Sequence, residues 1–101
     1  MKKPKAKSLI QKRVQHTLDS FSETAIWELS ASVVGSTHMY KYRLAYVVRS
    51  TCVLRYDNEA KKGDHRHYGD TQTPYLFSSV HQLIDDFNAD IERWNYENHH
   101  I

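Results

Sequence analysis

Between Met39 and Arg49 the chain alternates with the two-residue period of a strand. Tyr40, Tyr42, Leu44, Tyr46 and Val48 share one face, while Lys41, Arg43 and Arg49 fall on the other. Ser50-Thr51 reads as a tight reversal, after which Cys52, Leu54 and Tyr56 alternate with Val53, Arg55 and Asp57, completing a hairpin. Upstream, Glu23 to Leu29 sets Ala25, Trp27 and Leu29 against Thr24, Ile26 and Glu28. Leu9 to Leu18 is ambiguous: Ile10, Val14 and Leu18 have helical spacing, yet Ile10, Lys12, Val14, His16 and Leu18 would share a strand face. With the turn-like Asp19-Ser20-Phe21-Ser22 next to it, a first hairpin is the preferred reading. Ser30 to His38, with Ser32, Gly35, Ser36 and Thr37, reads as a polar loop. His65 to Tyr68 could add a short strand before Gly69-Asp70 and a loop at Pro74.

After Ser79 the period changes. Val80, Leu83, Ile84, Phe87, Ile91 and Trp94 recur at three and four residues, with Gln82, Asp85, Asp86, Asn88 and Glu92 elsewhere around the wheel. Ser78 or Ser79 can cap this helix, Ser79 and Gln82 having capping-box spacing, and Asp85 and Asp86 are expected early enough to meet the helix dipole. Asn95 to Ile101 is expected to fray. The fold expected is therefore α+β: an antiparallel β-sheet meander of four to five strands packed on one C-terminal α-helix. It divides a single domain, residues 1–101, into a flexible basic arm (1–7), a mainly antiparallel sheet (8–77) and a helix (79–96). Trp27, Tyr42, Leu44, Leu54, Phe87 and Trp94 are the expected core, and the face bearing Lys41, Arg43 and Arg55 is left for solvent or a ligand.

Composition adds few constraints. A chain of 101 residues can bury one core but not two. Fourteen basic against 12 acidic residues give a net charge of +2, which seven histidines would raise below neutral pH, so an anionic partner is permitted without being demanded. The single Cys52 excludes an internal disulfide and is read as a small buried hydrophobe, which fits a reducing cytoplasm. Met1 to Lys7 has the charge of a secretory leader, but Leu9-Ile10 runs into Gln11-Lys12-Arg13, so no apolar segment follows. No stretch approaches the length of a membrane span. The expectation is a soluble, unprocessed protein with no membrane partner.

Chemical potential concentrates in Tyr56 to His67, Tyr-Asp-Asn-Glu-Ala-Lys-Lys-Gly-Asp-His-Arg-His. RNA cleavage without a metal needs a base for the 2′-hydroxyl, an acid for the leaving oxygen and cations on the phosphate. His65 and His67, two apart on a strand, project to one face as candidate acid and base, with Asp57 or Asp64 to orient them. Arg66 would point to the other face unless the segment is a loop. Arg66, Lys41, Arg43, Arg55 and Lys62 are candidate phosphate ligands. A metal held by His65, His67, Asp64 and Asp57 would lack a further fixed ligand, so no metal or cofactor is invoked. The plainer reading is a solvated strand beside turn-forming residues. The tyrosines are read as core, with Tyr40 and Tyr68 able to stack bases if exposed.

Several of these segments together carry a family pattern. Gly35-Ser36-Thr37-His38, Tyr40 to Val47, Leu54 to Glu59, Lys62-Gly63-Asp64-His65-Arg66-His67, Pro74 to Ser79, Asp85-Asp86-Phe87 and Asp90 resemble TumE-type toxins of bacterial toxin-antitoxin systems, over roughly residues 26–94. The resemblance implies a growth-inhibiting toxin neutralised by a cognate helix-turn-helix antitoxin, acting on RNA. That makes a ribonuclease the leading expectation. A non-enzymatic toxin or interaction module that binds a nucleic-acid or protein target is the alternative. His81, where the family commonly has an acidic residue, and Tyr68, where an aliphatic one is more usual, depart from the pattern.

Overall fold

The computed structural model of the protein describes residues 5–100. Six strands form one antiparallel sheet in strictly sequential order: β1 (Ala6–Thr17), β2 (Ser20–Leu29), β3 (Tyr40–Val48), β4 (Thr51–Asp57), β5 (His65–Tyr68) and β6 (Thr71–Pro74). One helix, α1 (Val80–Glu97), follows. The α+β meander with a single covering helix is as expected, with more strands than the four or five anticipated. The addition is β6, whose Thr-Gln-Thr-Pro offers no hydrophobic alternation and ends in the residue at Pro74 that marked a loop.

β1 is a strand, resolving the ambiguity at Leu9–Leu18 in favour of the hairpin. It opens at Ala6, so Ala6 and Lys7, placed in the basic arm by composition, belong to the sheet, and residues 1–4 of that arm lie outside the described residues. The β3–β4 reversal sits one residue earlier than expected, at Arg49 and Ser50, both at positive φ (48° and 65°). Such a pair matches the twist of a two-residue hairpin. A bulge between Tyr46/Leu54 and Val47/Cys52 follows, and Cys52 is exposed rather than buried.

The core lies on one face only. Ile26, Tyr42, Leu44, Tyr46, Leu54 and Tyr56 from the sheet meet Leu83, Phe87 and Ile91 of α1. Each such buried side chain contributes about 1.5–3 kcal/mol. Trp94 packs at the margin of this core, but Trp27 does not join it: it projects from the opposite face of β2 and is only half-buried. Three of the buried tyrosines solve the problem of a phenolic hydroxyl in an apolar layer by reaching a polar group on another element. Tyr42 donates to Asp64 (2.6 Å), Tyr46 to Asn95 (2.8 Å) and Tyr56 to Asp90 (2.6 Å).

Ser79 caps α1, its Oγ accepting from the Gln82 N–H (3.0 Å). Asp85 and Asp86 do not serve the dipole, because the first turn holds no acidic residue. Asp86 instead accepts from the Tyr75 hydroxyl (2.5 Å) and Gln82 Nε2 (2.8 Å). The expected fraying at Asn95 is not seen either, since the helix continues to Glu97 and His100 is buried near Trp94.

Candidate functional site

The pleat divides the Asp64–His67 segment between the two faces of the sheet. Register pairs Asp57 with His65, Tyr56 with Arg66, Arg55 with His67 and Leu54 with Tyr68. Leu54 and Tyr56 lie in the core, so Arg66 and Tyr68 share the helix-covered face, while Asp57, Arg55, His65 and His67 share the uncovered one. In the next strand, Arg43 lies opposite Asp57 and Ala45 opposite Arg55, which extends the uncovered face across β3. Two adjoining clefts result. One of about 130 Å³ is lined by Arg55, Asp57, Glu59, Lys62, His65, His67 and Gln72. The other, of about 260 Å³, is lined among others by Trp27, Lys41, Arg43, Arg55 and Asp57. His65, His67, Asp57, Arg55, Lys41, Arg43 and Lys62 are thus brought to one surface.

Arg55 is at the centre of this surface. Its Nη2 lies 3.1 Å from His67 Nε2. A guanidinium can only donate, so His67 Nε2 is the acceptor and the imidazole carries its proton on Nδ1. Burial, and next the charge of Arg55, lower the His67 pKa below the usual imidazole value. Arg55 Nε is 3.1 Å from Asp57 Oδ2 but out of hydrogen-bond alignment, leaving a buried N–H without an acceptor among the described residues. Lys62 pairs with Glu59 (3.1 Å) at the solvent-exposed rim.

Asp64 and Arg66 serve elsewhere. The Asp64 carboxylate accepts from the Ser36 hydroxyl (2.5 Å) on Oδ1, and from His38 Nε2 (2.6 Å) and the Tyr42 hydroxyl (2.6 Å) on Oδ2. The Tyr40 N–H donates to His38 Nδ1 (3.1 Å), which makes His38 a neutral imidazole protonated on Nε2. Phe77 stacks on the ring at 3.9 Å. Burial, then the Asp64 bond, drive the Tyr42 pKa far above the ordinary phenol value. Close by, buried Asn58 accepts from the Tyr42 N–H (2.9 Å) and donates to the Tyr40 carbonyl (2.7 Å). The whole assembly pins the 30–39 loop to the β4–β5 connection. Their backbones touch at Gly35, where φ is +97° and a Cβ would sit 2.9 Å from the Gly63 nitrogen. Composition marked Ser36 and His38 as loop. Only their place in the family pattern signalled a role.

Arg66, expected on phosphate, is clamped by Asp90: Nε to Oδ2 at 2.6 Å and Nη2 to Oδ1 at 2.7 Å, with Tyr56 joining both. The Asp90 bond raises its pKa further above the guanidinium range. Tyr68 donates to Glu97 under the guanidinium of Arg93, and burial first, with Glu97, pushes its pKa up to about 12. Tyr40 packs toward Phe77 on the covered side. Neither tyrosine offers a free ring to the open face.

Among the described residues, no three His, Cys, Asp or Glu side chains gather as a metal site, and no helix is long and apolar enough to cross a membrane. Fold and site define a one-layer sheet with a helix on one side and a cationic, histidine-bearing surface on the other. The chain belongs to the toxin TumE family, whose model matches residues 2–95. No curated protein and no solved structure matches it.

Proposed function

We propose that the protein is the toxin of a toxin-antitoxin pair and inhibits growth as a metal-independent endoribonuclease, using the uncovered sheet face. The observation that carries this reading is the convergence of His65, His67, Asp57 and Arg55 on one cleft beside Lys41 and Arg43. His67 is the base: its lowered pKa favours the neutral imidazole, and Nε2 is released when Arg55 turns to a phosphate oxygen. The 2′-oxygen then attacks the adjacent phosphorus as its proton passes to His67. The P–O5′ bond breaks, and His65, facing Asp57 across the ladder, protonates the departing oxygen. The products are a 2′,3′-cyclic phosphate and a 5′-hydroxyl. Arg55, with an N–H lacking an acceptor among the described residues, and Arg43 and Lys41 beside it, take the phosphate charge.

The test is induction of wild-type and H65A/H67A chains, followed by mapping of RNA ends. Wild type should arrest growth and accumulate cyclic-phosphate ends, and the folded double variant should do neither. Arrest by that variant would remove the catalytic roles. A second reading, a toxin that binds without cleaving, has its own support in the Arg55–His67 contact, which occupies the base in the free protein. It requires arrest without new RNA ends and greater sensitivity to K41A/R43A than to loss of the histidines. The neutralising partner is a cognate antitoxin of the helix-turn-helix class.

A further inference from the structure

Trp27 is a large aromatic on the face that the helix leaves open. It stands opposite Lys41 in the ladder, lies between a cleft shared with Lys12, Arg13 and Arg43 and one shared with Lys41, Arg43, Arg55 and Asp57, and lines both. Phe21, on the same face, is already covered by the Arg13 guanidinium at 3.9 Å. No ring or guanidinium covers Trp27 among the described residues. An indole held at a sheet surface between cations matches the two chemical demands of an unpaired polynucleotide: phosphates meet the cations and a base meets the ring. A duplex keeps its base faces stacked inside and cannot use the indole this way.

We infer that Trp27 is a stacking platform for an unpaired base, which makes single-stranded RNA the substrate class of this face. This rests on the RNA reading above and adds a subsite to it. Three inter-strand spacings and a two-residue offset separate Trp27 from His65 in the register, about 16 Å at ordinary sheet spacings. A few nucleotides span that distance, so the stacked base belongs to the flank of the cleaved bond and not to the bond itself.

The experiment is binding of labelled, 2′-O-methylated RNA, which lacks the attacking hydroxyl, as a single strand and as a duplex of the same sequence. Wild type should prefer the single strand. W27A and W27L, the second keeping bulk without a π face, should weaken single-strand binding about tenfold, while W27F keeps most of it and duplex binding is unmoved. Circular dichroism identifies any variant that has lost the fold, and W27L stands in if W27A has. If W27L binds the single strand like wild type while K41A/R43A weakens it, the platform is refuted and the RNA surface stands. If W27A and W27L weaken single strand and duplex alike, the single-strand assignment falls. If wild type binds neither form, both readings fall together.

Discussion

Replacing Asp90 by alanine removes three hydrogen bonds at once, two from the Arg66 guanidinium and one from the Tyr56 hydroxyl. The Asp90 side chain is 11% exposed and that of Arg66 25%. Breaking a buried pair from one side costs about 3–5 kcal/mol, because the remaining charge is stranded. Arg66 is near enough to solvent to rehydrate in part, and we therefore expect a loss of about 2–3 kcal/mol. In a domain of this size that lowers Tm by about 10–20 °C. Urea and thermal unfolding followed by circular dichroism would measure it. R66M/D90L, which exchanges the pair for apolar side chains of similar volume, should recover most of the loss. The coupling between the two sites should exceed about 1 kcal/mol in the mutant cycle. A D90A protein within about 0.5 kcal/mol of wild type, or strictly additive effects at the two positions, would refute the view of Arg66 as the fastener of the helix.

Acid should destabilise the protein through His67 and His16, whose imidazole pKa values burial holds below the usual value of 6.5. The unfolded imidazoles protonate first as pH falls through 6.5, so stability is full above that pH and declines below it, and H67Q should flatten the decline in pH-dependent urea titrations. D64A strands the Ser36, His38 and Tyr42 donors and should cost about 3 kcal/mol, with hydrogen exchange accelerated in residues 35–38. G35A must place a Cβ against the Gly63 nitrogen at a left-handed φ, and we expect a loss of about 2 kcal/mol by urea unfolding, with the core otherwise intact.

The β3 strand was legible because its two faces differ in kind: tyrosines and aliphatics that must be buried, and Lys41 and Arg43 that must not. β1 was ambiguous because spacing alone cannot separate Ile10-Val14-Leu18 on a helix from the same residues on a strand, and its pairing with β2 is what decides. β6 escaped notice because an edge strand of threonine, glutamine and proline gains its place from the ladder of β5 and not from its own pattern. Trp27 is expected in the core because hydrophobicity predicts burial, but the alternation of β2 does not say which of its two faces the helix covers. Ile26, at 0% exposure, shows that the set opposite Trp27 faces the helix. In the Asp64–His67 stretch the concentration of titratable side chains was legible, yet Arg66 goes to Asp90 and Asp64 to His38. No local pattern reveals those partners, because they lie 24 and 26 residues away along the chain.

Because every strand pairs with its neighbour in sequence, each turn of the meander closes a short loop, and each closure costs little chain entropy. The β4–β5 ladder alone sets His65 against Asp57 and His67 against Arg55, and α1 has no part in that register. The Arg66–Asp90 pair ties α1 to the covered face of that ladder. The histidine-bearing surface thus owes its register to local hairpin pairing and its stability to the helix packed behind it, so the two can be perturbed separately.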